Sequence, residues 1–379
     1  MYRIRLAVFV FAGLTSFLRG QSTSASLTGR VTDPSKALVA DAKITAVSAG
    51  TNLRYDATTN GAEFHHTKVG VIGVGSVGAA TSLALIERGV CRELVLIDKN
   101  AARARGVALD MSYGAPLSPA VNVYVGDYSA LVDAQLVILT AGVNEKGGGA
   151  TDRSDPEGRL RLLDTNAEVY REIVPQVVKI APRAVLMVVT DPPDPLADLT
   201  RALAGHDRVF STGTLLDSLR FRVHLAQRLA VRPRDVDALV VGEHGVTEVF
   251  LWSSASMSGI PVLQLLQAGG QTVEQVRSEI ENGIRYANIN IIEGTGASQY
   301  GIGAVSARLA EAVLRDERAV LPVAAYNDRY DTTLSLISVV GASGVVKMYE
   351  PPMSDDETRG LEASAEALRK AKRRVLPAV

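Results

Sequence analysis

A short glycine-rich segment places the strongest constraint on the fold of this 379-residue chain. The apolar, largely β-branched run from Val69 to Val74 predicts a strand, and the residues from Ser76 to Arg88 have apolar positions at helical spacing. Between them the glycines fall as G-V-G-S-V-G, and a second predicted strand, "ELVLID", ends at Asp98. A strand, a glycine turn, a helix and a strand with a terminal acidic residue predict a dinucleotide-binding βαβ unit.

Each part of this unit has a physical task. Gly73 allows the tight turn, Gly75 lets the backbone approach a pyrophosphate, and Gly78 lets the helix pack closely on the strand. The helix N-terminus offers unpaired N–H groups and the positive end of its dipole to the phosphates. Asp98 can accept hydrogen bonds from a ribose 2′-hydroxyl and would repel a 2′-phosphate, so we expect NAD rather than NADP. Further predicted cofactor contacts are Ser76, Val77, Thr140, Ala141 and Gly142.

Strands and helices alternate beyond this unit. Apolar runs at "VNVYVGD", "AQLVILTAG" and "AVLMVVTD" predict strands, and helices are predicted near 100–113, 159–181 and 193–205. This alternation predicts an α/β fold with a doubly wound parallel sheet. A mixed α/β domain should follow, with a long helix near 271–292, a helix at "GIGAVSARLAEAVL" and strands at "AVLPVAAYN" and "LSLISVVGASGVVKMYE". The C-terminal helix is predicted from about Ser354 to Arg373.

Composition excludes several classes of function. The net charge of -1 gives no electrostatic reason to expect a nucleic-acid partner. The single cysteine, Cys91, excludes an internal disulfide framework and a multi-cysteine metal site, and we predict no bound metal. No run after residue 20 is long and apolar enough to predict a membrane-spanning helix.

Three later segments carry groups suited to hydride-transfer chemistry: "GRLRLLDTN" (158–166), "GTLLDSLRFR" (213–222) and "GEHGVTEVFLWSSASMSG" (242–259). With the glycine turn, their order and spacing resemble the lactate/malate dehydrogenase family over residues 67 to 379. The resemblance implies a Rossmann NAD-binding domain, a catalytic domain and a homodimer or homotetramer. It also implies that the chain interconverts a 2-hydroxy acid and a 2-keto acid.

That reaction needs a proton carrier near neutral pH, a carboxylate partner for it, a cation fork for the substrate carboxylate and a cation over the carbonyl oxygen. By resemblance, His244 is the acid/base, Asp217 its carboxylate and Arg220 the substrate fork. Arg159 would polarise the carbonyl from a mobile loop, with Arg153 as a rival. Asn166 matches a position near the cofactor, and Ser298 one lining the substrate pocket. Taken alone, His244 could be a satisfied core histidine, and Asp217 and Arg220 only an i,i+3 helix ion pair.

The loop from Val143 to Gly158 is about eight residues longer than the family pattern implies. Its three consecutive glycines suit a lid that closes on substrate, and the alternative is a surface insertion. The family position that reads the substrate side chain falls at Glu145, which would repel the second carboxylate of oxaloacetate. This disfavours malate if Glu145 faces the pocket, although Lys146 or Arg153 could take that place.

Two other departures concern the site itself. Asp191 replaces the asparagine of the usual "TNP", where the family residue touches both nicotinamide and substrate. A carboxylate there would suit oxidised NAD and oppose charge on the substrate oxygen. We therefore expect an altered balance between the two directions, or an Asp191 kept protonated. Val246 replaces the aspartate of "GEHGD" and would make the pocket more apolar. The substrate favoured by these departures is a monocarboxylic, lactate-type 2-hydroxy acid.

The N-terminal residues have a different character. Residues 1–22 show the charged, apolar, small-residue order of a secretory signal, with a buried helix as the alternative. Residues 23–62 alternate in short runs such as "GRVTD" and "AKITAVSAG" and resemble the start of a carboxypeptidase regulatory-like β-sandwich. Such a leader indicates either a fusion or a wrongly drawn start. A cytoplasmic location is favoured because NAD is available there, and export is possible if the signal is real.

These patterns predict four parts: a signal-like segment (1–22), a partial β-sandwich or poorly ordered segment (23–65), an NAD-binding domain (66–212) and a substrate domain (213–379). The leading function is an NAD-dependent 2-hydroxy-acid dehydrogenase of the lactate type. The alternatives are a malate dehydrogenase and a catalytically silent binding protein with an NAD fold. An NAD-dependent glycosidase of related fold is disfavoured by the remote Cys91 and the intact dehydrogenase residues.

Overall fold

The computed structural model describes residues 43–47, 54–58, 67–144, 147, 151 and 158–376, without the side chains of 158–160 and of most residues in the first two strands. The signal-like segment 1–22 lies outside the described residues, as does "GRVTD". Contacts divide the chain into two units, residues 1–65 and 66–379. In the first, β1 (Lys43–Val47) pairs antiparallel with β2 (Arg54–Thr58).

Alternating elements build the second unit. Its strands are β3 (Lys68–Ile72), β4 (Glu93–Ile97), β5 (Asn122–Val125), β6 (Leu136–Leu139), β7 (Val185–Val188), β8 (Val209–Ser211), β9 (Val236–Asp237), β10 (Val240–Val241), β11 (Val249–Phe250), β12 (Ser256–Met257), β13 (Ile260–Pro261), β14 (Ala319–Asn327), β15 (Thr332–Gly341) and β16 (Gly344–Tyr349). Its helices are α1 (Ser76–Glu87), α2 (Ala101–Gly114), α3 (Gly158–Ile180), α4 (Pro193–Ala204), α5 (Leu215–Leu229), α6 (Val262–Ala268), α7 (Val273–Arg285), α8 (Ala287–Thr295), α9 (Tyr300–Leu314) and α10 (Asp355–Val375).

A nine-stranded sheet organises this unit, in the order β16-β15-β14-β8-β7-β6-β3-β4-β5. The strands from β8 to β5 run parallel, and β14, β15 and β16 extend the sheet antiparallel from the β8 edge. The predicted α/β fold with a doubly wound sheet is confirmed. The strands predicted for the second domain at 319–350 belong to this same sheet, which is therefore mostly rather than wholly parallel.

Both faces of the parallel strands are covered. In β6, Leu136 and Ile138 join one apolar cluster, and Val137 and Leu139 join another. Side chains alternate across a strand, so these two clusters lie on opposite faces of the sheet. This explains why the central strands are continuous apolar runs in the sequence.

The strand order reverses between β3 and β6, which are neighbours although α1, β4, α2 and β5 intervene in the chain. In a doubly wound sheet the ligand crevice lies at this reversal, outside the carboxyl ends of the strands. The loops after β3 and β6 therefore determine where the site forms.

The long helix predicted near 271–292 is wrong as a single element. The structure has α7 up to Arg285 and α8 from Ala287, with Tyr286 between them. Tyr286 leaves helical geometry at φ -107° and ψ 10°. The prediction failed because apolar spacing continues across the break, and spacing alone does not detect an interruption of one residue.

Capping and charge define both ends of the C-terminal helix α10. The Ser354 hydroxyl accepts the Glu357 N–H, and the Glu357 carboxylate accepts the Ser354 N–H, which forms a capping box. Acidic residues occupy the first turn and basic residues the last turn, as the helix dipole favours. None of the described helices is long and apolar enough to cross a membrane.

Candidate active site

The turn after β3 is shaped by two glycines at which a side chain would collide with the backbone. Gly73 has a φ of +96°, and a side chain there would collide with the Ala141 backbone. At Gly78, a side chain would collide with the Gly73 carbonyl oxygen. The Thr140 hydroxyl donates to that same carbonyl at 2.6 Å. Strand, turn and helix are thus packed as closely as a dinucleotide turn requires.

Gly75 differs from its neighbours because a Cβ there would meet nothing within 4 Å. It is the N-cap residue of α1, whose first turn receives no side-chain capping hydrogen bond. A pyrophosphate could therefore approach the α1 N-terminus at Gly75 and accept hydrogen bonds from N–H groups that no side chain caps. The residues present therefore fit NAD at this end of the cleft.

The cleft itself has a volume of about 590 Å³, within the usual range for small-molecule sites. Predicted cofactor-binding residues and predicted catalytic and substrate-binding residues both line this cleft. The predicted residues among its lining are Gly75, Ser76, Val77, Thr140, Gly142, Asp191, Arg220, His244 and Ser298.

Asp98 lies beside the glycine turn. Its carboxylate accepts the backbone N–H of Val74 at 2.6 Å and that of Asn100 at 2.7 Å. These bonds hold the end of β4 against the turn after β3. Arg103, in the first turn of α2, lines the cleft on the same side.

His244 and Asp217 form a short polar contact beside the cleft. The Nδ1 of His244 lies 2.6 Å from Oδ2 of Asp217, and the other carboxylate oxygen accepts from Nη1 of Arg220 at 2.9 Å. Burial of Asp217, which is 1% exposed, opposes its ionisation. The charges and hydrogen bonds of His244 and Arg220 outweigh burial and hold the pKa of Asp217 below its usual value. With Nδ1 bound to a carboxylate, Nε2 is left to exchange a proton in the cleft.

A second buried carboxyl fixes the backbone of His244. Asp194 in α4 accepts the His244 N–H at 2.8 Å and the Ser211 hydroxyl at 2.6 Å. Burial raises the pKa of Asp194 to about 6, against the effect of these two hydrogen bonds.

Arg220 lies one helical turn after Asp217 on α5, so both side chains are on the same face of the helix. Its guanidinium is held by Asp217 and also lines the cleft. A guanidinium fixed in this way can present its remaining N–H groups to a substrate carboxylate. The pair is therefore more than an exposed i,i+3 ion pair.

Asn166 is fully buried and joins two loops. Its side-chain oxygen accepts the Val143 N–H at 2.7 Å, and its Nδ2 donates to the Asp191 carbonyl at 2.8 Å. Val143 and Asp191 both line the cleft, so Asn166 supports the lining from behind.

Asp191 directs its carboxylate towards the ring of His244. Its Oδ1 lies 3.9 Å from Nε2 of His244, and the side chain lines the cleft. The histidine ring therefore has a carboxylate near each nitrogen.

Some predicted residues fall elsewhere. Glu145, Lys146 and Arg153 lie outside the described residues, as does most of the extended loop. The backbone of Arg159 lies in the first turn of α3 rather than in a loop. Val246 is 56% exposed and is not among the described lining residues. Its position therefore does not support the expectation that it makes the pocket more apolar.

Three functional candidates were not identified from the sequence: Asp194, Glu248 and Arg103. Asp194 lies in the first turn of α4, the helix that follows the carboxyl end of β7, and that position was a usable signal. Glu248 is buried, and this burial together with the charge of Asp217 raises its pKa well above the usual value. Only folding brings Glu248 near Asp217, so the sequence carried no signal for it. No group of three or more metal-binding side chains occurs among the described residues.

Comparisons with known proteins agree with this geometry. Residues 67–210 match the family model for the lactate/malate dehydrogenase NAD binding domain, and residues 214–378 match that for the alpha/beta C-terminal domain. An L-lactate dehydrogenase of Deinococcus radiodurans is 48% identical over 80% of this chain and 97% of its own length. One of Thermus aquaticus is 42% identical over 80% of this chain and 98% of its own length.

The fold is also similar to a solved structure, the ligand-bound minor L-lactate dehydrogenase from Enterococcus mundtii. The TM-score is 0.75 at 35% identity, over 81% of this chain and 97% of that chain. These matches begin after the N-terminal segment, so the β-sandwich resemblance of residues 23–62 receives no support. The family matches, the relatives and the arrangement of the site show that the chain is an NAD-dependent oxidoreductase of the lactate/malate dehydrogenase family.

Proposed function

We propose that this chain is an L-lactate dehydrogenase, which reduces a monocarboxylic 2-keto acid such as pyruvate to its 2-hydroxy acid and catalyses the reverse reaction. One observation carries the proposal. His244, bound to Asp217 through Nδ1, lines the same cleft as Arg220 and as residues 74–77 of the glycine turn. The relatives named L-lactate dehydrogenase support the substrate class.

Each residue has one task in this mechanism. Arg220 binds the substrate carboxylate and so orients the carbonyl towards His244. Protonated His244 donates the Nε2 proton to the carbonyl oxygen, and Asp217 stabilises the imidazolium before the transfer. Arg159 is proposed to polarise the carbonyl. When bound, reduced NAD supplies the hydride that the carbonyl carbon receives. In the reverse direction, neutral His244 takes the proton of the substrate hydroxyl.

The charges around the cleft favour a monocarboxylate over oxaloacetate. Of the two arginines among the described lining residues, Arg103 lies on the nucleotide side, which leaves Arg220 for a single substrate carboxylate. Asp191 adds a carboxylate to the lining, which would repel a second substrate carboxylate in the cleft, and Leu216 and Ile302 add apolar surface. Glu145 is proposed to add further repulsion. Repulsion between like charges at 4 Å amounts to about 1 kcal/mol in water and more in a partly dry cleft.

The test is NADH oxidation by the full chain with pyruvate, longer branched and aromatic 2-keto acids, and oxaloacetate. His244→Gln should remove turnover while NADH binding persists. His206→Gln, on the segment before β8, is the matched control and should keep turnover. Turnover with oxaloacetate alone would refute the monocarboxylate assignment. NADH binding without turnover on any acid would favour a catalytically silent binding protein.

We also propose the wider organisation. Residues 66–212 form the NAD-binding domain and 213–379 the catalytic domain, and the enzyme acts in the cytoplasm as a homodimer or homotetramer. Exposed apolar residues of α2 and the turn after it, Leu109, Tyr113 and Leu117, support assembly. Light scattering measures the assembly, and mass spectrometry of the native N-terminus decides whether residues 1–65 are retained.

A further inference from the structure

His244 lies between two carboxylates that come from different parts of the fold. Asp217 belongs to α5 and lies 2.6 Å from Nδ1, whereas Asp191 follows β7 and lies 3.9 Å from Nε2. The first distance is that of a strong hydrogen bond. The second is too long for a hydrogen bond but short enough for substantial attraction between charges.

The position of Asp191 is also the position where chemistry occurs. Nε2 of His244 exchanges the proton with the substrate oxygen, so that oxygen must approach the side of the ring that Asp191 faces. A carboxylate here has two opposite effects. It stabilises the imidazolium, and it disfavours negative charge on the substrate oxygen.

We propose that Asp191 is a second electrostatic partner of His244, which keeps the imidazolium populated to higher pH than Asp217 alone would. This inference rests on the proposed function for its kinetic consequences. Reduction consumes the imidazolium proton, which moves from Nε2 to the carbonyl oxygen as the carbonyl carbon accepts hydride. Oxidation of the hydroxy acid starts from the neutral ring. Asp191 therefore extends reduction to higher pH and delays the onset of oxidation to higher pH.

Other ionisable groups around His244 also influence the protonation of its ring. Asp194 of α4, Asp217 of α5 and Glu248 interact with His244 directly. Arg220 of α5, Glu243 and Arg285 of α7 interact in turn with those carboxyl groups. Arg220 is bound to Asp217, which limits its effect on the ring. The Asp191→Asn substitution keeps all of these groups and changes one charge at nearly constant side-chain volume.

The kinetic test measures kcat/KM for pyruvate from pH 5.5 to 10 in the wild type and in Asp191→Asn. We expect the Asp191 carboxylate, 3.9 Å from Nε2 of His244, to raise the pH at which the ring is half protonated by about one unit. The pH at which reduction is half lost should fall by about one unit in the variant. Reduction at pH 9 should then fall about tenfold, while at pH 6 the variant should equal or exceed the wild type. Asp207→Asn is the matched control, since Asp207 is exposed and lies before the amino end of β8, whereas Asp191 follows the carboxyl end of β7.

The second test follows the His244 ring by NMR across the same pH range in the full chain, with its signal assigned by loss in His244→Gln. The pH of half-protonation should fall by about one unit in Asp191→Asn and stay unchanged in Asp207→Asn. Unchanged titration and an unchanged pH–rate profile in Asp191→Asn would overturn the inference. If the wild type did not reduce pyruvate at any pH, the proposed function would fail, and the NMR titration would still decide the role of Asp191.

Discussion

The backbone N–H of His244 donates to Oδ2 of Asp194 at 2.8 Å, and this bond joins the His244 segment to the carboxyl ends of the central strands. Asp194 also accepts from Ser211 at the end of β8. One buried carboxyl thus connects the strand ends beside the cleft with the loop that carries His244. The position of the His244 ring, the proposed proton donor, depends on Asp194 as well as on Asp217.

The protonation of Asp194 should appear in the pH dependence of stability. Burial raises its pKa from 3.8 to about 6, so the unfolded chain loses this proton before the folded chain does. Folding therefore binds a proton between these values, and the free energy of unfolding decreases as pH rises through this window. Between pH 4 and pH 7.5, the wild type should lose about 2 to 3 kcal/mol relative to Asp194→Asn.

Urea unfolding of both proteins at the two pH values measures this difference. Asp207→Asn, which changes an exposed carboxylate, should follow the wild type. An equal response of the wild type and Asp194→Asn to pH would show that Asp194 titrates normally.

Alanine substitutions at two glycines of the nucleotide turn should affect different properties, NADH affinity in one case and stability in the other. Gly75→Ala adds a methyl group to open space, so the fold should keep its stability while the Kd for NADH rises about tenfold or more. Gly78→Ala places a methyl group against the Gly73 carbonyl and should lower the unfolding temperature. Thermal unfolding without cofactor and NADH titration separate the two effects. Unaltered NADH affinity in Gly75→Ala would contradict a pyrophosphate beside this residue.

Arg220→Lys should mainly impair substrate binding. Lysine keeps the charge but loses the planar pair of donors that matches a carboxylate. A lost charged hydrogen bond is worth about 1.5 to 3 kcal/mol, so KM for pyruvate should rise by one to two orders of magnitude. Arg222→Lys is the matched control, because the Arg222 guanidinium donates to the Ala238 carbonyl on another side of the same helix. Equal KM values in the two variants would argue against Arg220 as the carboxylate site.

Asp217→Asn should preserve the fold of α5 but reduce kcat/KM by about 10²-fold or more. The uncharged amide would stabilise the His244 imidazolium less than the carboxylate does, and it would replace the ion pair with Arg220 by a weaker neutral contact. The loss should be smaller for oxidation at high pH, where His244 must be neutral. The control Asp237→Asn, which changes an exposed carboxylate at the end of β9, should retain wild-type kinetics. A pH-independent loss equal in both directions would point to a purely structural role for Asp217.

The sequence alone identified the residues with local signals. The glycine turn, the acidic end of β4 and the alternating elements depend on neighbours in the chain and on strand burial, so the NAD-binding fold was predictable. His244, Asp217 and Arg220 were found because they lie in segments whose order resembles a known family. Their mutual geometry was not found in this way, because the 2.6 Å contact joins residues 27 positions apart on different elements.

Tertiary structure decided what depends on contacts across the fold. It showed that Asn166, a predicted cofactor contact, supports two loops of the cleft, and it extended the parallel sheet with β14, β15 and β16. It also brought the Asp191 carboxylate to the second nitrogen of the His244 ring. Local pattern determines which elements form, because propensity and burial act along the chain. The charge around a catalytic ring is set only when the ends of several strands and helices meet, because electrostatic interaction depends on distance in space.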